Sequence, residues 1–383
     1  TMVRSAAKNH AYVGIVVNPN HYDEIITMLK EHGELPKEYR FGLAKEAFAH
    51  TAAYDVAIAN YMSGVLDEGP TPPEYLSAYE KVTDLRYGEN PHQKGAIYKT
   101  DRMIDYEVIN GKELTFNDIL NVTEATNLVS EFYDVNCVSI IRHTKPCGVA
   151  LGRSLYEAYT KAFDCDPVSS FYGTVGFSKT VDAEVAKHLN SMSVEVIVAP
   201  DYDEDAIELF RDNSEIKLVK LNTSLKDYRR LTVEEVILTP FGALVQDRNN
   251  SELDKDTFKV VTREKPTAEQ IEDAIFAWKV VKHAKTNAVV IARDFKAVAI
   301  VQGQTNALSA VEGALNYACD GSKEAILASD SFLPAEDCIY SAVQGRIGLI
   351  IQPGGSIKDQ KLIEVCDKYG IAMITTGIRN YRQ

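Results

Sequence analysis

SIIRHTKPCGVALG, residues 139–152, is a short apolar strand that ends at Arg142-His143 and is followed at once by Pro146 and Gly148. Its histidine therefore stands at the carboxyl end of a strand, the edge where open α/β sheets bind ligands. An imidazole is also the side chain whose ordinary pKa suits proton removal near neutrality. Position and chemistry together make His143 a candidate general base.

Working outward, strand-like and helix-like segments alternate. Strands are expected at Val138–Ile141, Val194–Ile197, Ala288–Ile291, Val298–Val301, Ile326–Ala328, Leu349–Ile351 and Met373–Thr375. That alternation predicts an α/β architecture with partly parallel sheets. Thr267 and Gln270 form a capping box opening a helix with Ile271, Ala274, Ile275 and Trp278 on its apolar face, and Lys279, Lys282, His283 and Lys285 place positive charge at its end. Arg142-His143-Thr144-Lys145 and Lys282-His283-Ala284-Lys285 share the form basic-His-x-Lys, as two related subdomains or chance would produce. Upstream, the stretch 12–18, opening Tyr12-Val13-Gly14-Ile15-Val16-Val17, reads as a buried strand and Tyr22 to His32 as a helix. A longer helical pattern runs from Glu38 to Met62, with Ala47, Tyr54, Ile58 and Tyr61 forming a face that should pack on something. The proline-rich, acidic stretch at 65–84 then reads as a connector between domains.

At 383 residues the chain fits two or three domains. No run of about 18 apolar residues exists to span a bilayer. A net charge of −14 argues against coating nucleic acid, which needs a basic face, but leaves small anionic ligands to local arginines. The six cysteines have no CxxC spacing and read as reduced thiols of a cytoplasmic protein. In LRYGENPHQ (85–93), a tight turn presents Arg86, a bidentate phosphate donor, and the Tyr87 hydroxyl. Pro353-Gly354-Gly355-Ser356 leads into a helix and could hold an anion, but lacks the spacing of a nucleotide loop and reads better as a structural turn. A zinc deaminase site is not expected, because no second cysteine follows Pro146-Cys147 at the required distance.

SAAKNH (5–10), FAHTAAYDVAIANY (48–61), LRYGENPHQ, RHTKPCGVA (142–150), DPVSSF (166–171), AWKVVKHAKTNAVV (277–290), ASDSFLP (328–334), IIQPGGSIKD (350–359) and TTGIRNYR (375–382) occur in the order of one family. The chain resembles the bifunctional phosphoribosylaminoimidazolecarboxamide (AICAR) formyltransferase and IMP cyclohydrolase along essentially its whole length. The resemblance implies a partial methylglyoxal-synthase-like cyclohydrolase domain at 1–64, a linker at 65–84, and a formyltransferase of two cytidine-deaminase-like subdomains without zinc, 85–240 and 241–383. It also implies a homodimer with formyltransferase sites between subunits, and 10-formyltetrahydrofolate as co-substrate. Carried over by position, Arg86, Tyr87 and Arg379 bind the nucleotide, and Phe332 stacks in its pocket. His143 is the general base, Asn287 steadies the developing charge on the formyl oxygen, and Pro334 lines the folate side. Asp330 stands where the family can hold a monovalent cation such as potassium. Lys8 and Asn9 match a cyclohydrolase site segment whose upstream contributors are missing, so the chain is expected to be a fragment without ring-closing activity.

The chain departs from the family around its substrate pocket. Arg142 stands where relatives have the lysine that precedes the catalytic histidine, Tyr172 where they have glycine, and Ala307 where many have arginine. A guanidinium can polarise an oxygen but gives up a proton poorly, and loss of one general acid is worth a factor of about 10²–10⁴. Two readings follow: an active formyltransferase, with Arg142 beside His143 and Asn287 in its catalytic set, or a weakened paralogue that binds nucleotide and folate.

Overall fold

The computed structural model describes residues 1–66, 71–100, 102–231, 234–253 and 258–383. By contacts the chain divides into two compact units. One comprises Thr1–Thr83, Ile97–Met103 and Val233–Arg248, and the other Asp84–Ala96, Ile104–Thr232 and Asn249–Gln383.

The first unit opens with helices α1 (Met2–Lys8), α2 (Tyr22–His32) and α3 (Lys37–Val65). Its buried apolar cluster is Ala7, Ala44 and Ala47, flanked by partly buried Val3, Ile15, Val17 and Phe48. The strand expected at 12–18 is absent. That segment is irregular, because no strand among the described residues offers it a ladder, and Arg40 of α3 instead gathers the carbonyls of His10 (3.1 Å), Ala11 (2.8 Å) and Leu35. Tyr12 is 92% exposed. The helical face expected on α3 forms only in part: Ala47 is buried, whereas Tyr54, Ile58 and Tyr61 lie open. Of the connector, 67–70 fall outside the described residues, and 71–79 are irregular.

Strands β1 (Glu80–Leu85) and β2 (Gly95–Lys99) form a small sheet. Next come β3 (Tyr106–Asn110), α4 (Phe116–Ser130), β4 (Cys137–Arg142), β5 (Lys145–Leu151), α5 (Leu155–Phe163), β6 (Thr174–Phe177), α6 (Ala183–Leu189), β7 (Val196–Ala199), α7 (Glu204–Phe210) and β8 (Lys217–Leu221). A short helix α8 (Leu225–Arg229) and the hairpin β9 (Glu235–Thr239) and β10 (Gly242–Gln246) intervene. The first ten-element order then returns: β11 (Lys259–Val260), α9 (Ala268–Val281), β12 (Val289–Arg293), β13 (Lys296–Val301), α10 (Ala307–Ala318), β14 (Ile326–Ser329), α11 (Glu336–Gln344), β15 (Leu349–Gln352), α12 (Asp359–Tyr369) and β16 (Ala372–Thr375).

These two series build one twelve-stranded sheet in the order β11-β16-β15-β14-β12-β13-β5-β4-β6-β7-β8-β3. Read outward from its centre, each half pairs antiparallel, antiparallel, parallel, parallel, antiparallel. The fold is therefore an internal duplication, joined where β13 meets β5. The shared basic-His-x-Lys motif is not its trace. Arg142-His143-Thr144-Lys145 turns from β4 into β5, so its counterpart is Arg293-Asp294-Phe295-Lys296, between β12 and β13.

Alternation across the pleat sorts the core. Val289 and Ile291 face α10–α12, while Val290 and Ala292 face the other way. The cores under α5–α7 and under α10–α12 are separate, whereas α4 and α9 share a single core on the opposite face. This explains why α9 buries more than its expected stripe. Ala274 and Trp278 are buried as expected, but so are Phe276, Ala277, Val280 and Val281.

Candidate active site

A two-residue hairpin turn of type I′ needs positive φ at both central positions. His143 (φ 50°) and Thr144 (φ 63°) accept it without a glycine. Neighbours hold the turn: Thr144 N donates to Asn121 Oδ1 of α4 at 2.8 Å, the Thr144 hydroxyl donates to the His143 carbonyl, and Arg142 Nη1 donates to the Tyr172 carbonyl. His143 is thereby left exposed at the tip, with strain supported from three sides.

Strand register places the second half's candidates at the same edge of the sheet. Lys296 pairs with Ala150, so the far end of β13 lies level with the start of β5. There Gln302 Nε2 donates to the Pro146 carbonyl at 2.9 Å, and Gln302 Oε1 accepts from Lys285 N at 3.1 Å, stitching the repeats together. Val289 pairs with both Val301 and Ser329, bringing Asn287 at the head of β12 and Asp330 at the tail of β14 to this edge. Asn287 Nδ2 donates to the Gln304 carbonyl at 3.0 Å, which uses one of its two amide hydrogens. Phe332, just past β14, remains 37% exposed, and Pro334 is half-buried.

Asp330 is fully buried. Its Oδ1 accepts from Ala288 N at 2.8 Å, while its Oδ2 and the Thr286 Oγ1 lack hydrogen-bond partners among the described residues. Burial raises its carboxyl pKa, against the pull of the Ala288 N–H that its Oδ1 accepts. Asn380 N donates to the Asp330 carbonyl at 2.9 Å, anchoring the last residues here, and Arg379 lies exposed with its guanidinium 4.2 Å from the Tyr381 ring centre.

The turn of LRYGENPHQ approaches the same helix as the His143 hairpin. Gly88 N donates to the Gln93 carbonyl at 2.7 Å, and Asn117 Nδ2 donates to the Glu89 carbonyl at 3.2 Å. Asn117 and Asn121 stand one helical turn apart on α4. Arg86 is exposed, with its guanidinium 5.8 Å from the Tyr87 ring centre. Lys8 and Asn9 lie in the other unit, exposed at the end of α1, where Asn9 Nδ2 donates to the Ser5 carbonyl.

Two weaker sequence features resolve as structure. Gly355 N and Ser356 N both donate to Asp359 Oδ2, so the glycine turn is closed by its own helix's carboxylate. Cys147 donates to the Ile140 carbonyl, and burial pushes its thiol up to about 12. Among the described residues no cluster of three histidine, cysteine or carboxylate side chains could hold a metal.

Sequence reasoning passed over α4 and a buried charge cluster at its end. Thr115 and Asp118 make a capping box with both hydrogen bonds present, ahead of an apolar run, a signal that was available in TFNDIL. Glu131 Oε1 meets Arg229 Nη1 (2.6 Å), Lys282 Nζ (2.9 Å) and His283 Nε2 (3.1 Å), so the basic end of α9 neutralises a buried acid rather than only its own dipole. Burial alone would raise the Glu131 carboxyl, but the His283 hydrogen bond and the surrounding charges outweigh it and hold it at about 2. Burial lowers the His283 pKa, so the ring is a neutral donor at pH 7, and Lys282 and Arg229 carry the balancing charge.

An α/β protein built on a duplicated twelve-stranded sheet, with an exposed histidine on a strained turn and a buried carboxylate at the same edge, is thereby defined. The sequence model of the AICARFT/IMPCHase bienzyme family matches residues 6–317. The chain is 43% identical to the bifunctional purine biosynthesis protein PurH of Thermoanaerobacter sp. (strain X514), over all of this chain and 75% of that relative. It is 42% identical to the protein of the same name from Caldicellulosiruptor saccharolyticus and 39% to that from Acetivibrio thermocellus, with the same coverage. The chain belongs to the AICARFT/IMPCHase bienzyme family.

Proposed function

We propose that this chain transfers the formyl group of 10-formyltetrahydrofolate to the 5-amino group of AICAR in purine biosynthesis. The observation that carries the reading is the gathering of His143, Asn287, Asp330 and Phe332 at one edge of one sheet, in a chain of this family. His143 removes a proton from the poorly nucleophilic amine as nitrogen attacks the formyl carbon. Asn287, oriented by Gln304, offers its remaining amide hydrogen to the formyl oxygen as charge develops there. Arg86, Tyr87 and Arg379 take the nucleotide, with the arginines on its phosphate, while Phe332 stacks and Pro334 lines the folate side. Arg142, tethered to Tyr172, contributes charge.

The orphaned Asp330 oxygen and Thr286 hydroxyl fit a monovalent cation such as potassium, which would supply the charge that burial otherwise denies the carboxylate. Asp330→Asn should abolish any gain in melting temperature from potassium over lithium; an equal gain in the variant would exclude the site. The reading extends to a cytoplasmic homodimer with 1–64 as cyclohydrolase-related sequence, 65–84 as linker, and 85–240 and 241–383 as cytidine-deaminase-like halves.

The test is tetrahydrofolate release from the chain mixed with AICAR and 10-formyltetrahydrofolate. Release with saturable dependence on both supports transfer. Binding by calorimetry without release would instead favour the weakened paralogue, the reading that Arg142 and its tether support.

A further inference from the structure

The duplication supplies an internal control for the cations that flank His143. In the second hairpin both are occupied structurally: Arg293 Nη1 donates to the Lys323 carbonyl at 3.0 Å, and Lys296 Nζ meets Asp164 at 3.3 Å. In the first, Arg142 repeats the arginine's part by donating to the Tyr172 carbonyl, in the segment that leads into the next strand as Lys323 does. Lys145, paired with Arg142 across the turn, does not repeat the lysine's part. Among the described residues its ammonium has no hydrogen bond or ion pair. It reaches over Gly303, where a side-chain carbon would stand 3.9 Å from Nζ. Gly303 lies between Gln302, which binds the Pro146 carbonyl, and Gln304, whose carbonyl holds Asn287. The free ammonium therefore lies between the turn that carries His143 and the segment that orients Asn287.

We propose that Lys145 is the proton donor to the departing folate nitrogen, filling the place that Arg142 cannot. The proposal rests on formyl transfer being the activity. The amine nitrogen of the nucleotide forms the new bond to the formyl carbon, and its proton passes to His143. The bond from that carbon to N10 of the folate then breaks, its electron pair stays on nitrogen, and N10 takes a proton from the Lys145 ammonium. Solvent carries the proton from His143 back to Lys145, so both groups end as they began. A guanidinium, ionised throughout the working range, cannot take that second part.

The experiment is steady-state transfer by the 383-residue protein and its variants. Lys145→Met should lower kcat by about 10²-fold or more while the KM of each substrate stays within about threefold, and added methylammonium should recover at least about tenfold of the loss. Lys145→Arg should remain as slow as Lys145→Met. Retention of kcat within about threefold in Lys145→Met would make Lys145 an ordinary solvated lysine. A loss confined to the KM of the nucleotide would make it a phosphate contact, and full recovery in Lys145→Arg would show that charge alone suffices; each overturns the proposal. Lys145 is exposed, so the variants should melt with the parent, and Lys145→Gln stands in if Lys145→Met does not fold. An unsubstituted protein that binds both substrates without turnover would overturn the formyltransferase reading, and this inference with it.

Discussion

The two hairpins at the centre of the sheet share a backbone and differ in what they leave free. Both turn through two non-glycine residues at positive φ, and both are gripped by the sixth residue past the N-cap threonine of the neighbouring helix. In the second repeat that residue is Asp273, whose carboxylate accepts from Asp294 N (2.8 Å) and Phe295 N (2.7 Å), while Phe295 packs edge-on against Phe276. In the first it is Asn121, a neutral amide accepting from Thr144 N. One turn is sealed by a carboxylate and an aromatic ring. The other keeps a histidine and a lysine available and adds no negative charge where an anionic nucleotide would bind.

Replacing His143 by Ala should have the largest effect on transfer, lowering kcat by about 10²–10⁴, whereas Asp294→Ala should change it by less than about twofold. Comparable losses in the two variants would break the comparison, because they would make the hairpins jointly structural.

Glu131 and His283 form the next contrast, since they occupy equivalent places past α4 and α9 yet hydrogen-bond to each other. Glu131→Gln removes the buried carboxylate that Lys282 and Arg229 share, and should cost about 3–5 kcal/mol in denaturant unfolding. The pH dependence has a definite sign. A carboxyl held at about 2, below its ordinary 4.5, contributes stability that is complete above that value and is lost as pH falls toward 2. His283, lowered by burial, acts in the same direction from about pH 6.5 downward, because protonating it in place opposes folding. Glu131→Gln should therefore flatten the decline in stability below pH 4.5; an unchanged slope there would assign acid sensitivity to other groups.

Asn121→Asp copies the second repeat's seal into the first. A carboxylate under the His143 turn should raise the KM of the nucleotide by about tenfold, equivalent to about 1.4 kcal/mol of repulsion, without loss of thermal stability. An unchanged KM would mean that the neutral amide is incidental.

Much of this arrangement is legible in the sequence. The Thr267 capping box, the strand ending at His143 and the strands of the second half follow from patterns within a few residues, and they recur nearly as expected. The duplication was not legible, because equivalence lies in sheet order and register. The one repeated motif misled: Lys282-His283 follows a helix, whereas Arg142-His143 enters a turn. The site is legible only as separate residues. Whether Lys145 is free, or Asn287 already half-committed, depends on Gln302, Gly303 and Gln304, residues with no chemical signature of their own. The open face of α3 fails for a different reason, since helical periodicity marks a surface that needs covering without saying what covers it.

Tyr172 gives the smallest effect and a final contrast. It and Glu324 each stand two residues ahead of a strand, at φ 53° and 58°, and each donates its N–H to the loop before the following strand, to Ser193 and Arg346. The left-handed backbone is thus a property of the repeat, and a glycine at the first position would suit it better than a tyrosine that is 60% exposed. A non-glycine residue there costs about 1–2 kcal/mol, against about 0.5–1 kcal/mol of extra chain entropy that a glycine loses on folding. Tyr172→Gly should accordingly stabilise the chain by about 0.5–1 kcal/mol, a rise of about 2 °C in melting temperature. It should also leave the Arg142 tether intact, because the acceptor is a backbone carbonyl. A lower melting temperature would show that the tyrosine ring supports the His143 turn through its side chain, and the two hairpins would then differ in their supports as well as in what they expose.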